Sequence, residues 1–266
     1  MDDRPIGFFD SGLGGLTAVK ALRRILPDEN IIYFGDTARM PYGARPAQQL
    51  RVMARQDLDF VAAKGVKAIL AACGTVSSTA PDVLAAYPVR IFDVISSTVR
   101  ETARSADGPV GVIATAACIA GGAFQRGLAA ACPEKEVVAV ACPAFVPLIE
   151  SGRYDPDDDA LRAAVEEYLT PLRASGVRSL ILGCTHYGLI AEAIRRFMGE
   201  ELRMIEAAAC AARELSDWLE KEKLCGGAGA EQYFTSGSTE DFARLSAVFL
   251  GRAPRGEVAQ APLMEV

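Results

Sequence analysis

Two cysteines in matching settings, one in each half of the chain, are the residues best placed to do chemistry. Cys73 closes the apolar run Val66-Lys67-Ala68-Ile69-Leu70-Ala71-Ala72 and is followed by Gly74-Thr75. Cys184 closes Ser179-Leu180-Ile181-Leu182-Gly183 and is followed by Thr185-His186. Each run reads as a buried strand that ends in a thiol with a hydroxyl nearby. A buried cysteine usually packs as a small hydrophobe, and Cys132, Cys210 and Cys225 receive that reading. At Cys73 and Cys184 the strand-end placement, the adjoining threonines and the repetition favour chemistry. Two thiols facing one substrate can take a proton from one face of a carbon and return one to the other. A free thiol titrates near ~8.5 and becomes useful when a helix N-terminus or a charged neighbour adjusts it. Asp10 and His186 are the natural acid–base assistants, and Glu150 can orient His186, as carboxylates often do.

Other stretches carry two readings each. Asp10-Ser11-Gly12-Leu13-Gly14-Gly15 can bring backbone N–H groups to an anion at a helix start, or Ser11 can cap that helix. It lacks the G-x-G-x-x-G spacing of a dinucleotide site. In Gly35-Asp36-Thr37-Ala38-Arg39-Met40-Pro41-Tyr42-Gly43, the Pro41-Tyr42-Gly43 turn can aim backbone into a cleft, or Tyr42 can pack and Asp36 can cap. Thr115 can hold a carboxylate or cap the following helix. Outside a site, His186 would be a satisfied strand-end histidine and Glu150 an exposed helix end.

The elements that must position these residues alternate between strand and helix. Strands are predicted over 5–9, 30–35, 66–72, 89–92, 110–115, 136–141, 178–182 and 232–235. Helices are predicted over 13–26, 46–64, 78–86 (Pro81 in the first turn), 157–175, 207–222 and 238–249. Repeated βα units imply parallel sheets covered by helices. The cysteines are 184 − 73 = 111 residues apart, about one domain, which suggests an internal repeat. Ligands of open α/β sheets bind beyond the carboxyl ends of strands, where Asp10, Cys73, Thr115 and Cys184 all fall.

Bulk properties narrow the class. The 266 residues suffice for two modest α/β domains, and half are hydrophobic. The net charge of −6, from 28 basic and 34 acidic residues, comes without a basic patch of the nucleic-acid kind. The acidic start has no apolar stretch of the secretory kind, and no run reads as a membrane span. Seven cysteines without C-x-x-C point to free thiols in a reduced, cytoplasmic setting. One histidine, His186, leaves little for a metal site.

Taken together, Asp10 to Gly15, Tyr33 to Gly43, Ala72-Cys73-Gly74-Thr75, Cys142 to Glu150 and Leu182-Gly183-Cys184-Thr185-His186-Tyr187 resemble the glutamate racemases of the cofactor-independent aspartate/glutamate racemase superfamily. The resemblance implies an α/β fold of two pseudo-symmetric open parallel-sheet domains, with the active site in the cleft between them. The first domain would take 1–93 plus 205–266 and the second 94–204. It also implies two-base racemisation of glutamate without pyridoxal phosphate, metal or other cofactor, serving peptidoglycan synthesis. Cys73 and Cys184 would exchange the α-proton, Asp10 assisting Cys73 and His186 with Glu150 assisting Cys184. Ser11, Pro41, Tyr42, Gly43, Gly74, Thr75, Thr115 and Thr185 would bind the ammonium and carboxylates. Members are often homodimers.

Three positions depart from the family pattern. Gly74 stands where an asparagine is usual, which removes an amide expected to touch substrate. Cys118 replaces a second threonine, and Gly188 a proline that bears on a helix start. Two rivals therefore stand beside glutamate racemisation: the same chemistry on another amino acid such as aspartate, and a non-catalytic amino-acid-binding protein on this scaffold. A cysteine hydrolase is a third, and it would need one essential thiol rather than two.

Overall fold

The apolar runs form the strands of two parallel sheets. The computed structural model describes residues 2–262. The chain first builds β1 (Ile6–Asp10), α1 (Leu16–Ile25), β2 (Ile31–Gly35), α2 (Ala47–Ala62), β3 (Ala68–Ala71), α3 (Gly74–Thr79), α4 (Pro81–Ala85) and β4 (Ile91–Asp93). It continues through α5 (Val94–Ser105), β5 (Val110–Ala114), α6 (Ala116–Gly121), α7 (Ala123–Ala131), β6 (Val137–Ala141), α8 (Phe145–Glu150), α9 (Asp159–Ala174), β7 (Ser179–Leu182), α10 (Ala191–Met198) and β8 (Arg203–Glu206). It ends with α11 (Ala207–Lys221), β9 (Glu231–Thr235), α12 (Thr239–Leu250) and β10 (Glu257–Gln260). Short 3₁₀ turns cover Tyr42–Ala44 and Tyr187–Ile190.

One sheet has the order β10-β9-β2-β1-β3-β4 and the other β6-β5-β7-β8, with every pair parallel. The series β2-β1-β3-β4 and β6-β5-β7-β8 is one arrangement used twice. The expected fold class is thus borne out. The chain leaves the first sheet at Asp93, builds the second, and returns with β9 and β10 to the first. β8 stays paired with β7 through Glu206, beyond the boundary drawn at 204. Met1 and residues 263–266, the ends of the first expected domain, lie outside the described residues.

The central strands β1, β3, β5 and β7 are buried along their whole length, as parallel strands covered on both faces must be. One continuous apolar core runs through both sheets, from Ile6, Phe8 and Leu70 to Val112, Ile181 and Phe145, and α11 contributes Leu215 and Leu219 to it. A second core, with Phe9, Ile69, Leu58 and Val61, lies beneath α2 on the other face of the first sheet. Caps fix the helix starts. Asp93 accepts from the Ile95 and Ser96 N–H groups at 3.0 and 2.8 Å, and Asp158 from Leu161 N–H at 2.9 Å. Among the described residues no helix is long and apolar enough to cross a membrane.

The helix expected over 78–86 is corrected to two short ones, α3 and α4. Helix begins directly after Cys73, which is the N-cap of α3. Pro81 has no N–H to continue that helix, so it opens α4 after Ala80 turns out of helical geometry at φ −132° and ψ 42°.

Candidate active site

The repeat brings the carboxyl ends of β1, β3, β5 and β7 to one cavity of about 390 Å³. Every residue expected from the sequence to act on or bind substrate lines it: Asp10, Ser11, Pro41, Tyr42, Gly43, Cys73, Gly74, Thr75, Thr115, Glu150, Cys184, Thr185 and His186. Cys73 lies two residues beyond β3 and Cys184 two residues beyond β7, so the thiols occupy equivalent places in the repeat.

On the Cys73 side, the loop after β1 is organised by Asp10. Its Oδ2 accepts from Gly12 N–H at 3.2 Å and Gly15 N–H at 3.0 Å. Ser11 does not cap α1, whose N-cap is Gly15 without a side-chain bond. As N-cap, Cys73 leads into the first-turn N–H groups of α3, which have no intrahelical acceptor. Burial pushes the Cys73 thiol well above its ordinary range, and the Asp10 charge adds to it. Contacts with the Val76 backbone and with Ser11 act the other way.

On the Cys184 side, His186 Nδ1 is 3.7 Å from the Cys184 sulfur. His186 Nε2 is 3.3 Å from Glu150 Oε1, an ion-pair contact short of a full hydrogen bond. Phe249 of α12 packs edge-on against the imidazole, with ring centroids 5.2 Å apart. Burial alone would lower the His186 pKa. The contacts with Cys184 and Glu150 outweigh it and hold the imidazole at about 10. That balance favours the imidazolium, which faces the neighbouring sulfur. Gly14 approaches this loop so closely that a Cβ there would lie 2.4 Å from both His186 Nδ1 and Thr185 Oγ1.

The two thiol loops also meet directly. A Cβ at Gly74 would lie 2.7 Å from the Gly183 carbonyl oxygen. The missing side chain therefore leaves no gap here; backbone of the second loop fills the space. Thr115 takes the capping reading, since its Oγ1 accepts from Cys118 N–H at 3.3 Å as the cap of α6, and the same oxygen is 3.2 Å from Thr75 Oγ1. Tyr42 does not turn its hydroxyl to the cavity. That group is bonded to Asp57 at 2.9 Å and to Asp36. Cys118 and Gly188 are not among the lining residues. Burial, with the neighbouring Cys184, pushes the Cys118 thiol up to about 12.

Sequence reasoning missed part of the wall. Met40, Ala44, Ala116, Cys142, Pro143, Val146, Pro147 and Gly183 also line the cavity. Positions 146, 147 and 150 share one face of α8, a spacing that could have found them. Among the described residues no lysine or arginine lines the cavity, and the ionisable side chains there besides the cysteines and Tyr42 are Asp10, Glu150 and His186. An ammonium finds carboxylates there, while a carboxylate must rely on hydroxyl and backbone N–H donors. Among the described residues no cluster of His, Cys, Asp and Glu could hold a metal ion.

A family model described as Asp/Glu/Hydantoin racemase matches residues 17–215. The chain belongs to this racemase family. Among its relatives, glutamate racemase 2 of Caldanaerobacter subterraneus is 36% identical over 255 residues, covering 95% of each chain. The glutamate racemase of Francisella tularensis, solved with D-glutamate, superposes with a TM-score of 0.90 at 34% identity, covering 99% of this chain and 98% of that one. The glutamate racemase of Thermus thermophilus, solved with beta-chloro-D-alanine, gives 0.87 at 37% identity and 99% of each chain. The resemblance read from the sequence is borne out, and the two parallel sheets are the racemase fold.

Proposed function

We propose that this racemase interconverts L- and D-glutamate by two-base proton exchange between Cys73 and Cys184. The observation that carries the reading is the placement of two thiols at equivalent strand ends on one cavity, each with its own acid–base neighbour. One thiolate takes the α-proton, forming S–H and leaving the electron pair on the α-carbon. The opposite thiol gives its proton to the other face of that carbon and becomes the thiolate. Atoms balance, and the two sulfurs have exchanged states. Asp10 assists Cys73, and His186 with Glu150 assists Cys184.

The α-proton of an amino acid is a weak acid, so charge developing on the α-carboxylate needs oriented donors and little water. Thr75, Thr115 and Thr185 supply hydroxyls, and Ser11, Tyr42, Gly43 and Gly74 supply backbone N–H groups. Relatives named as glutamate racemases over nearly the whole chain support glutamate as the substrate. D-glutamate for peptidoglycan precursors, made in the cytoplasm, is the role this reading gives the enzyme.

Circular dichroism of each glutamate enantiomer in D₂O tests it. Loss of optical activity from both, with deuterium at the α-carbon, is expected, and Cys73→Ser and Cys184→Ser should each abolish it. A flat signal from folded protein with either enantiomer would overturn the substrate. Activity surviving either substitution would overturn the two-base scheme.

A further inference from the structure

Asp36, Arg39 and Asp57 are buried beside the Pro41-Tyr42-Gly43 turn and are not among the residues lining the cavity. Tyr42 Oη lies within hydrogen-bond reach of two carboxyls, Asp36 Oδ2 and Asp57 Oδ2, the latter at 2.9 Å. A phenol has one hydrogen to give. The second contact therefore needs a hydrogen from a carboxyl group.

The partners indicate which carboxyl holds it. Asp36 is satisfied as an anion, since Arg39 Nε donates to its Oδ2 at 2.6 Å and Ser236 Oγ donates to its Oδ1 at 2.7 Å. Asp57 accepts from Arg39 Nη2 at Oδ1, 3.0 Å away, which leaves Oδ2 for Tyr42. Charge agrees with this count. Both aspartates are 0% exposed beside one guanidinium, and a second buried anion would be uncompensated.

We propose that Asp57 is a positioning residue that carries a proton, donates it in a hydrogen bond to Tyr42 Oη, and so completes a relay from Asp57 through Tyr42 to the Asp36 carboxylate that fixes the cavity-lining turn. The groups facing the relay come from several elements: Asp36 and Arg39 after β2, Gln56 on α2 through Arg39, Ser236 after β9, and Asp10 at the end of β1. Burial pushes the Asp57 carboxyl well above the carboxylate range, and the Asp36 charge reinforces it against Arg39 and Tyr42. The kinetic part rests on the proposed reading that the backbone of this turn binds glutamate.

Infrared difference spectroscopy on the full chain, with aspartate labelled by ¹³C at its carboxyl, tests the proton directly. A carboxylic-acid carbonyl band is expected in the parent at neutral pH and should vanish in Asp57→Asn. Absence of any band assignable to Asp57 in folded parent overturns the proposal, whatever the activity. Kinetics supply the second readout. An asparagine copies the protonated acid, its amide donating to Tyr42 and its carbonyl accepting from Arg39. Asp57→Asn should therefore keep KM for glutamate within about threefold, while Asp57→Ala and Asp36→Asn raise it roughly tenfold or more with a smaller change in kcat. Equal losses in Asp57→Asn and Asp57→Ala would mean that Asp57 acts as an anion, and would overturn the proposal. An inactive parent would sink the glutamate reading and leave the infrared band to judge the proton.

Discussion

Glu150→Gln tests the electrostatics of the Cys184 side through one observable group. The chain has a single histidine, so the imidazole resonances in NMR belong to His186 without further assignment. The fold lifts this group from 6.5 to about 10, a preference for the imidazolium worth roughly 5 kcal/mol. Glu150 is one of its two principal supports, at 3.3 Å. Withdrawing an opposite charge at that range should lower the midpoint by about 1 to 3 pH units. Linkage gives a second readout with a definite sign. A raised folded pKa stabilises the fold fully below about 6.5, and that contribution is lost as pH rises toward about 10. The parent should therefore lose stability across this window by chemical denaturation, and Glu150→Gln should complete its loss at lower pH. The assay is the imidazole titration of both proteins by ¹⁵N-edited NMR, with denaturation at matched pH. A parent histidine titrating near 6.5, or one midpoint shared by both proteins, would refute the reasoning.

Two substitutions probe the frame around the site. Gly74→Ala places a Cβ 2.7 Å from the Gly183 carbonyl, so the two thiol loops must part by roughly half an ångström or more. It should cost about 1–3 kcal/mol in stability and about tenfold or more in kcat/KM for glutamate, and parental kcat/KM together with parental Tm would show that the loops do not touch as described. Lys67→Met breaks the buried pair with Glu29, 2.6 Å apart, and removes the donor to the carbonyls of Asp2, Leu224 and Gly226. Leaving Glu29 unpaired should cost about 3–5 kcal/mol in urea denaturation with KM unchanged, since neither residue lines the cavity; a loss under about 1 kcal/mol would refute the pair's role.

The parts legible in the sequence were those with local causes. Buried parallel strands announce themselves as continuous apolar runs, and strand ends in an α/β chain are where ligands bind. That combination was enough to find both thiols and their neighbours. β8 and β10 escaped because they are four-residue edge strands with charged or polar ends, Arg203–Glu206 and Glu257–Gln260, which read as loop. The start of α3 escaped because Gly74 is a poor helix signal, whereas the N-cap geometry of Cys73 is a property of the folded loop. Asp57 was invisible for a different reason. An aspartate in the middle of α2 reads as an exposed helix charge, and its partners Arg39 and Tyr42 come from another loop.

The repeat accounts for two thiols but not for their neighbours, and the difference matters to the chemistry. At the strand end where the first sheet has Asp10, the second has Ala114; two residues past the thiol, the first has Thr75 and the second His186. The second half therefore recruits its acid–base group from its own thiol loop, and the partner of that group, Glu150, from α8. A strictly symmetric site with a carboxylate beside each sulfur would press both toward the neutral thiol. Proton exchange needs one thiol and one thiolate. Cys73, buried beside Asp10, is held toward the thiol, while Cys184 has within reach a histidine held toward the imidazolium. On the proposed mechanism the two directions of the reaction then begin from different proton arrangements. The rates on the two enantiomers should respond differently to pH, with the branch that starts at Cys184 tied to the charge of His186.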